Sequence, residues 1–245
     1  MYPYKPSPNL LTDRIIFITG AGQGIGKALA IGCAKLGAKV VILGRSYQKL
    51  QHVNELIINQ GLQAPILIPF DFEYASEKDY QILYTELSRQ TSHLDGLVNN
   101  ASIATSLKPF NHLSISEFNR VMHINVNATF ALTKTLLPLL SKASESSIIF
   151  TSSSVGRVGR ANWSAYAASK FATEGLMQCV ADELKNTTIR ANSINPGATR
   201  TDMRANIYPD EIVTNNPSPE QILAVYFYLL GSDSRGVNGQ MFNAQ

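Results

Sequence analysis

Tyr166-Ala-Ala-Ser-Lys170 sets a phenol and an ammonium four residues apart, which puts both on one face of a helix. A cation beside a phenol favours the phenolate and draws the tyrosine pKa down towards working pH, as a general acid or base requires. The spacing alone proves little, because Tyr74 and Lys78 share it. Their surroundings separate the two pairs. A run of hydroxyls, Thr151-Ser-Ser-Ser154, precedes Tyr166 at the end of a predicted strand, where a hydroxyl can hydrogen-bond a substrate carbonyl beside the phenol. Tyr74 follows an earlier strand and has only Gly61 at the equivalent upstream distance. Tyr166 and Lys170 are the catalytic candidates, and Tyr74 with Lys78 is the decoy.

A second chemical feature is the run Thr19-Gly-Ala-Gly-Gln-Gly-Ile-Gly26. Arg14-Ile-Ile-Phe-Ile-Thr19 before it reads as a buried strand, and residues 27–36 after it read as a helix ended by Gly37. A glycine turn between strand and helix lets backbone N–H groups and the positive helix end meet a phosphate. Gly20 permits the tight turn, Gly24 lets backbone approach a pyrophosphate, and Gly26 lets the helix pack closely on the sheet. Glycine-rich turns are common, so the strand–turn–helix context carries this reading against a merely structural turn.

Alternating elements must position these groups. Strands are predicted at 14–19, 39–43, 65–70, 94–100, 147–152 and 188–194, with a short last one at 240–243. Helices are predicted at about 27–36, 46–59, 76–90, 114–140, 163–186 and 218–230, with Pro138 near the end of the long fourth one. Near-continuous apolar strands separated by helices imply a parallel sheet covered on both faces. Right-handed crossovers then give a doubly wound α/β fold. Residues 1–12 read as an extended, proline-rich lead-in, and residues 13–245 as one dinucleotide-binding catalytic domain without a linker or repeat.

A chain of 245 residues suits one large domain. Hydrophobic residues make up 44% and charged residues 16%, a globular balance. The net charge of +3 comes without a basic cluster or basic–aromatic interleaving, so no nucleic-acid partner is expected. No stretch reaches the ~18 apolar residues of a membrane helix. The N-terminus lacks an apolar signal core, so a cytoplasmic location is expected. Cys33 and Cys179 fall in apolar helical stretches and read as buried thiols. His52, His93, His112 and His123 show no metal-ligand spacing, and no metal is expected.

Thr19–Gly26, Asn99-Asn-Ala101, Asn125, Ser153, Tyr166-xxx-Lys170 and Pro196-Gly-Ala-Thr-Arg-Thr201 stand in the order found in short-chain dehydrogenase/reductases, which the chain resembles over about residues 13–243. The stretch from Phe150 to Gly175, with Asn125-Val-Asn-Ala-Thr-Phe130, is similar to the bacterial YciK-type oxidoreductases in particular. The resemblance implies a single-domain, doubly wound Rossmann fold with a mostly parallel seven-stranded sheet and helices on both faces. It implies Asn125, Ser153, Tyr166 and Lys170 as catalytic residues. Tyr166 would exchange a proton with the substrate oxygen. Lys170 would lower the Tyr166 pKa and hydrogen-bond the nicotinamide ribose. Ser153 would orient the substrate oxygen, with Ser152 and Ser154 as bland neighbours, and Asn125 would hold a relay water.

Cofactor-binding candidates by the same resemblance are Gly20, Gln23, Gly24, Ile25, Gly26, Arg45, Asp71, Asn99, Ala101, Pro196, Gly197, Thr199 and Thr201, together with Tyr166 and Lys170. Asn99-Asn-Ala101 would sit against the adenosine ribose and Pro196–Thr201 around the nicotinamide. Gly44 stands where NAD-using relatives tend to carry Asp, and Arg45 follows it. An arginine there accommodates a 2′-phosphate, so NADP(H) is expected over NAD(H), against a reading of Arg45 as an exposed helix-start residue. The implied reaction interconverts a carbonyl and a secondary alcohol of a small molecule. A 3-oxoacyl thioester reductase and a non-catalytic dinucleotide sensor are the alternatives.

Some positions depart from the pattern or stay open. Ser102 stands where the family's Asn-Asn-Ala-Gly has glycine, which puts the local turn geometry in question. The C-terminal stretch keeps Gly239-Gln240 but lacks the Asp-Gly-Gly ending of acyl-carrier-protein reductases. Residues 202–217, where relatives place a substrate lid, are polar. Arg157 and Arg160 read either as attractors of an anionic substrate tail or as solvated loop or subunit contacts. Trp163 reads either as pocket lining or as packing at the helix start. Phe130, Leu132, Leu136, Phe171, Leu176 and Met177 exceed what one sheet face needs, so a homodimer or homotetramer is expected, against the reading that they fill the monomer core.

Overall fold

Ile15–Thr19 (β1) alternates its side chains across the sheet, with Ile16 and Ile18 in one apolar layer and Phe17 in the other. Lys39–Gly44 (β2) repeats this, placing Val40 and Ile42 on one face and Val41 and Leu43 on the opposite one. Strands apolar on both faces need cover on both. The computed structural model describes residues 1–245, apart from the side chain of Val213, and supplies that cover with helices.

After β1 come α1 (Gly24–Lys35), β2, α2 (Tyr47–Ile58), β3 (Ile66–Pro69), α3 (Glu77–Gln90) and β4 (Gly96–Asn99). Then follow α4 (Ile115–Met122), α5 (Ala128–Leu140), β5 (Ser146–Thr151), α6 (Ser164–Glu183) and β6 (Ile189–Asn195). The chain ends with α7 (Asp202–Ile207), α8 (Ala224–Leu230) and β7 (Met241–Asn243). The strands lie in the order β3-β2-β1-β4-β5-β6-β7, and every neighbouring pair is parallel. The expected, mostly parallel sheet is thus entirely parallel. α1, α2 and α8 pack on one face; α3, α5 and α6 pack on the other. The order of the strands reverses between β1 and β4, so their carboxyl ends, Thr19 and Asn99, border the crevice where open α/β sheets take ligands.

Three expectations are corrected, and one segment left without an element gains one. The helix expected over 114–140 is two helices joined by a π turn, His123–Asn127, around Asn125. The helix expected over 218–230 starts as a 3-10 turn, Pro219–Ile222, before α8. α7 occupies part of the polar segment 202–217, with the Thr201 hydroxyl accepting the Arg204 N–H at 3.2 Å as its cap. Cys33 is fully buried, but Cys179 is exposed, because the α6 face that carries it points away from the sheet.

The lead-in is packed onto the domain. The Tyr2 N–H donates to Ala244 O at 2.9 Å, the Tyr2 ring lies on Tyr228 and Phe242, and Leu11 is fully buried. Leu132, Leu136 and Met177 are core residues, whereas Phe130 and Phe171 are 53% and 47% exposed.

Candidate active site

The glycine turn has the backbone that its sequence demands. Gly20 and Gly24 take φ of +66° and +54°, in the left-handed region that side chains disfavour. A Cβ on Gly26 would run into the Gly20 carbonyl, so only glycine lets α1 start this close to β1. α2, α3 and α4 each begin at a serine that caps them, whereas α1 begins after Gln23 with no side-chain cap and no acidic residue in its first turn. Its first N–H groups are left for a ligand. A Cβ on Gly24 would stand 3.3 Å from Thr201 Cγ2, so the turn and the loop before α7 face each other across a narrow gap. Uncapped donors, a positive helix end and a glycine wall without side chains of its own fit the phosphates of a dinucleotide.

Thr19 locks the crevice. Its hydroxyl donates to Val98 O at 3.2 Å and accepts the N–H groups of Asn100 and Ala101, both at 2.9 Å. Ala101 and the backbone therefore line the crevice, while the Asn99 side chain is buried and donates to Thr133 Oγ1 at 3.0 Å. Asn99 supports the loop that follows β4 from behind. Ser102 takes no positive φ, so serine fits the turn where relatives carry glycine.

Arg45 is exposed at the carboxyl end of β2, within charge range of Glu73. Asp71 follows β3 and accepts the Glu73 N–H at 3.0 Å. Gln23 accepts from Lys49, and Ile25 is half-buried in the first turn of α1. On the far side, Gly197 has φ of +73°, and the Gln245 amide donates to Pro196 O at 2.7 Å and Ala198 O at 3.0 Å. Thr199 is buried, with its hydroxyl donating to Gly197 O at 3.3 Å.

Tyr166 and Lys170 share a face of α6, with Lys170 Nζ 5.5 Å from the centre of the Tyr166 ring. Burial pushes the Tyr166 phenol up to about 12, while hydrogen bonds with the Ser102 and Ser153 hydroxyls pull in the opposite direction. The lowering by Lys170 expected from the spacing is absent, because desolvation dominates. Lys170 is buried, donates to Thr151 O at 2.7 Å, and is held down to about 8 by burial, against which the Glu174 charge works. The three serines after β5 part company. Ser153 accepts the Val155 N–H at 3.4 Å and its hydroxyl works to lower the phenol's pKa, Ser152 is buried with an unpartnered hydroxyl, and Ser154 is exposed. The decoy fails on burial: Tyr74 is 82% exposed.

Both N–H groups of the Asn125 amide are engaged, and its oxygen accepts one bond. Oδ1 accepts the Ile103 N–H at 2.8 Å, and Nδ2 donates to Ile103 O at 2.9 Å and Ser169 Oγ at 3.0 Å. Arg157 is tied to Glu174, Asn243 and Phe242, which removes it from the substrate-tail reading; Arg160 is exposed. Trp163 lies tilted against Tyr166 and Tyr208, with ring centres 5.6 Å and 6.2 Å apart, forming an aromatic wall beside the phenol. Ser102, Glu174 and Tyr208 were missed as site residues. Their only signals in the chain are a serine at a glycine position, an acid one turn after Lys170, and a tyrosine in a polar stretch.

This combination of all-parallel sheet, glycine turn and Tyr-Lys helix defines a dinucleotide-dependent oxidoreductase fold. The short chain dehydrogenase family model matches residues 14–212, and the chain belongs to that family. It is 45% identical to the oxidoreductase YciK of Escherichia coli (strain K12), over 99% of this chain and 96% of that one. A short chain dehydrogenase from Pseudomonas syringae superposes with a TM-score of 0.98 at 53% identity, covering 100% of both chains. Another, from Shigella flexneri 2a str. 301 and complexed with NADP, superposes with a TM-score of 0.95 at 45% identity, over 98% of this chain and 100% of that one. The protein is a short-chain oxidoreductase.

Proposed function

We propose that this chain uses NADP(H) to interconvert a carbonyl and a secondary alcohol of a small molecule, with Tyr166 as general acid and base. The observation that carries the reading is the shared face of α6 that sets Lys170 Nζ 5.5 Å from the centre of the Tyr166 ring and ties Lys170 to the carboxyl end of β5 through Thr151 O at 2.7 Å. The cofactor, when bound, supplies or accepts the hydride, and the protein supplies position and proton transfer. Gly20, Gln23, Gly24, Ile25 and Gly26 hold its phosphates, Arg45 its 2′-phosphate, Asp71 and Ala101 the adenosine side, and Pro196 to Thr201 the nicotinamide side. The NADP complex of the Shigella flexneri relative supports this cofactor.

A phenol that keeps its proton up to about pH 12 is in the acid form needed to protonate a carbonyl oxygen. The Ser153 hydroxyl holds that oxygen beside it. Lys170 has three N–H donors and spends one on Thr151, leaving donors for a ribose hydroxyl. Asn125 holds a relay water through an oxygen with a lone pair to spare, since Oδ1 accepts only the Ile103 N–H and the backbone carbonyl only the Thr129 hydroxyl among side chains. Exposed Phe130 and Phe171 pair with a second copy in a homodimer or homotetramer, located in the cytoplasm.

NADPH consumption across a panel of ketones, aldehydes and 3-oxoacyl thioesters tests the reading. Turnover of one class is expected. Tight NADPH binding with no turnover on any member would instead favour the sensor.

A further inference from the structure

Glu174 lies one turn beyond Lys170 on α6 and is 4% exposed. A carboxylate that deep is costly unless partners are supplied. Two are. Arg157 Nε donates to Oε1 at 3.0 Å, and Ser193 Oγ donates to Oε2 at 2.5 Å. Arg157 is fixed in turn by Asn243 Oδ1 at 2.9 Å and Phe242 O at 3.0 Å, so the carboxylate cannot swing away.

Lys170 is 3% exposed and closely confined. It faces the Tyr166 ring from its own helix, the Thr151 carbonyl from β5, and Gly156 from the following turn, where a Cβ would stand 2.7 Å from Lys170 Cβ; Glu174, four residues on, is buried on the next turn of the same helix. Glu174 is the charged group whose field favours the ammonium; Arg157, beyond it, is neutralised by the pair. We propose that Glu174 is the positioning residue for Lys170: its carboxylate, anchored by Arg157 and Ser193 one helical turn away, is the fixed counter-charge of the buried ammonium. The consequence for turnover rests on the reading of Lys170 as a partner of Tyr166; the hold on its charge does not.

The test is an NMR titration of the Lys170 Cε resonance in cofactor-free, isotopically labelled protein, assigned with Lys170→Met. The wild type should titrate at about 8. Glu174→Gln should titrate ~1 pH unit or more lower, the usual size for a neighbouring opposite charge. Glu174→Gln combined with Arg157→Met removes both buried charges and guards against misfolding. It too should keep the lowered titration, and the alkaline limb of kcat/KM should move with it. An unchanged Lys170 titration in both variants overturns the proposal. So does recovery of the wild-type titration in the double variant, which would leave Glu174 as Arg157's partner only. A shifted titration with an unmoved rate profile upholds Glu174's hold on Lys170 and removes Lys170 from the reaction instead.

Discussion

Asn125 reaches out of the π turn to Ser169, with 3.0 Å between Nδ2 and Oγ, and so ties the α4–α5 unit to the helix that bears Tyr166 and Lys170. The same amide satisfies both backbone groups of Ile103, in the loop that brings Ser102 to the phenol. Asn125→Ala leaves the part-buried N–H and C=O of Ile103 unpaired, each worth up to ~1–3 kcal/mol. Urea unfolding should show a loss of that order, and turnover should fall with it. Unaltered stability would mean that the π turn holds without the amide.

Arg45 is exposed and free to meet a 2′-phosphate. A hydrogen bond to a charged group is worth ~1.5–3 kcal/mol, about 10- to 100-fold in affinity. Arg45→Ala should weaken NADPH by that factor, less at high salt, and leave NADH unchanged. Calorimetric titrations check this, and equal loss for both dinucleotides would refute it.

Legibility followed burial and backbone. All seven strands were readable, because runs such as Val40-Val-Ile-Leu43 are apolar on both faces, and only a covered parallel sheet accepts them. Gly20 and Gly24 were readable because their φ values admit little else. The π turn was not, since helical periodicity runs through 114–140 unbroken while the cause, Asn125 bonding to Ile103, is a tertiary contact. The raised phenol of Tyr166 was likewise hidden. Spacing reveals the neighbouring cation but not the desolvation that outweighs it. Arg157 looked free in the sequence because its partner Glu174 comes from another element.

Phe130 on α5 and Phe171 on α6 are large apolar side chains left half exposed. Burial of one such side chain is worth ~1.5–3 kcal/mol, so a charge there opposes association. Phe130→Asp with Phe171→Asp should lower the mass seen by light scattering to that of a monomer. An unmodified chain that is already monomeric at micromolar concentration would contradict the pairing.

Lys170 sits at about 8, below the 10.5 of an exposed lysine. Between those values the unfolded chain binds a proton that the folded one does not, so stability should rise with pH from about 8 to 10.5. Lys170→Met should remove that slope in denaturant melts. For carbonyl reduction, kcat/KM reports the free enzyme and should fall as pH rises through about 8, when Lys170 loses its charge.

The central claim is that Tyr166 transfers the proton. Tyr166→Phe deletes one hydroxyl and keeps the ring against Trp163, so NADPH titrations should be nearly unchanged. Proton transfer by a positioned group contributes ~10²–10⁴-fold, and turnover of a carbonyl substrate should drop by at least that order. Tyr74→Phe, in the exposed decoy, should leave the rate intact. A Tyr166→Phe enzyme that keeps most of the wild-type rate, beside a Tyr74→Phe enzyme that loses it, would contradict the account.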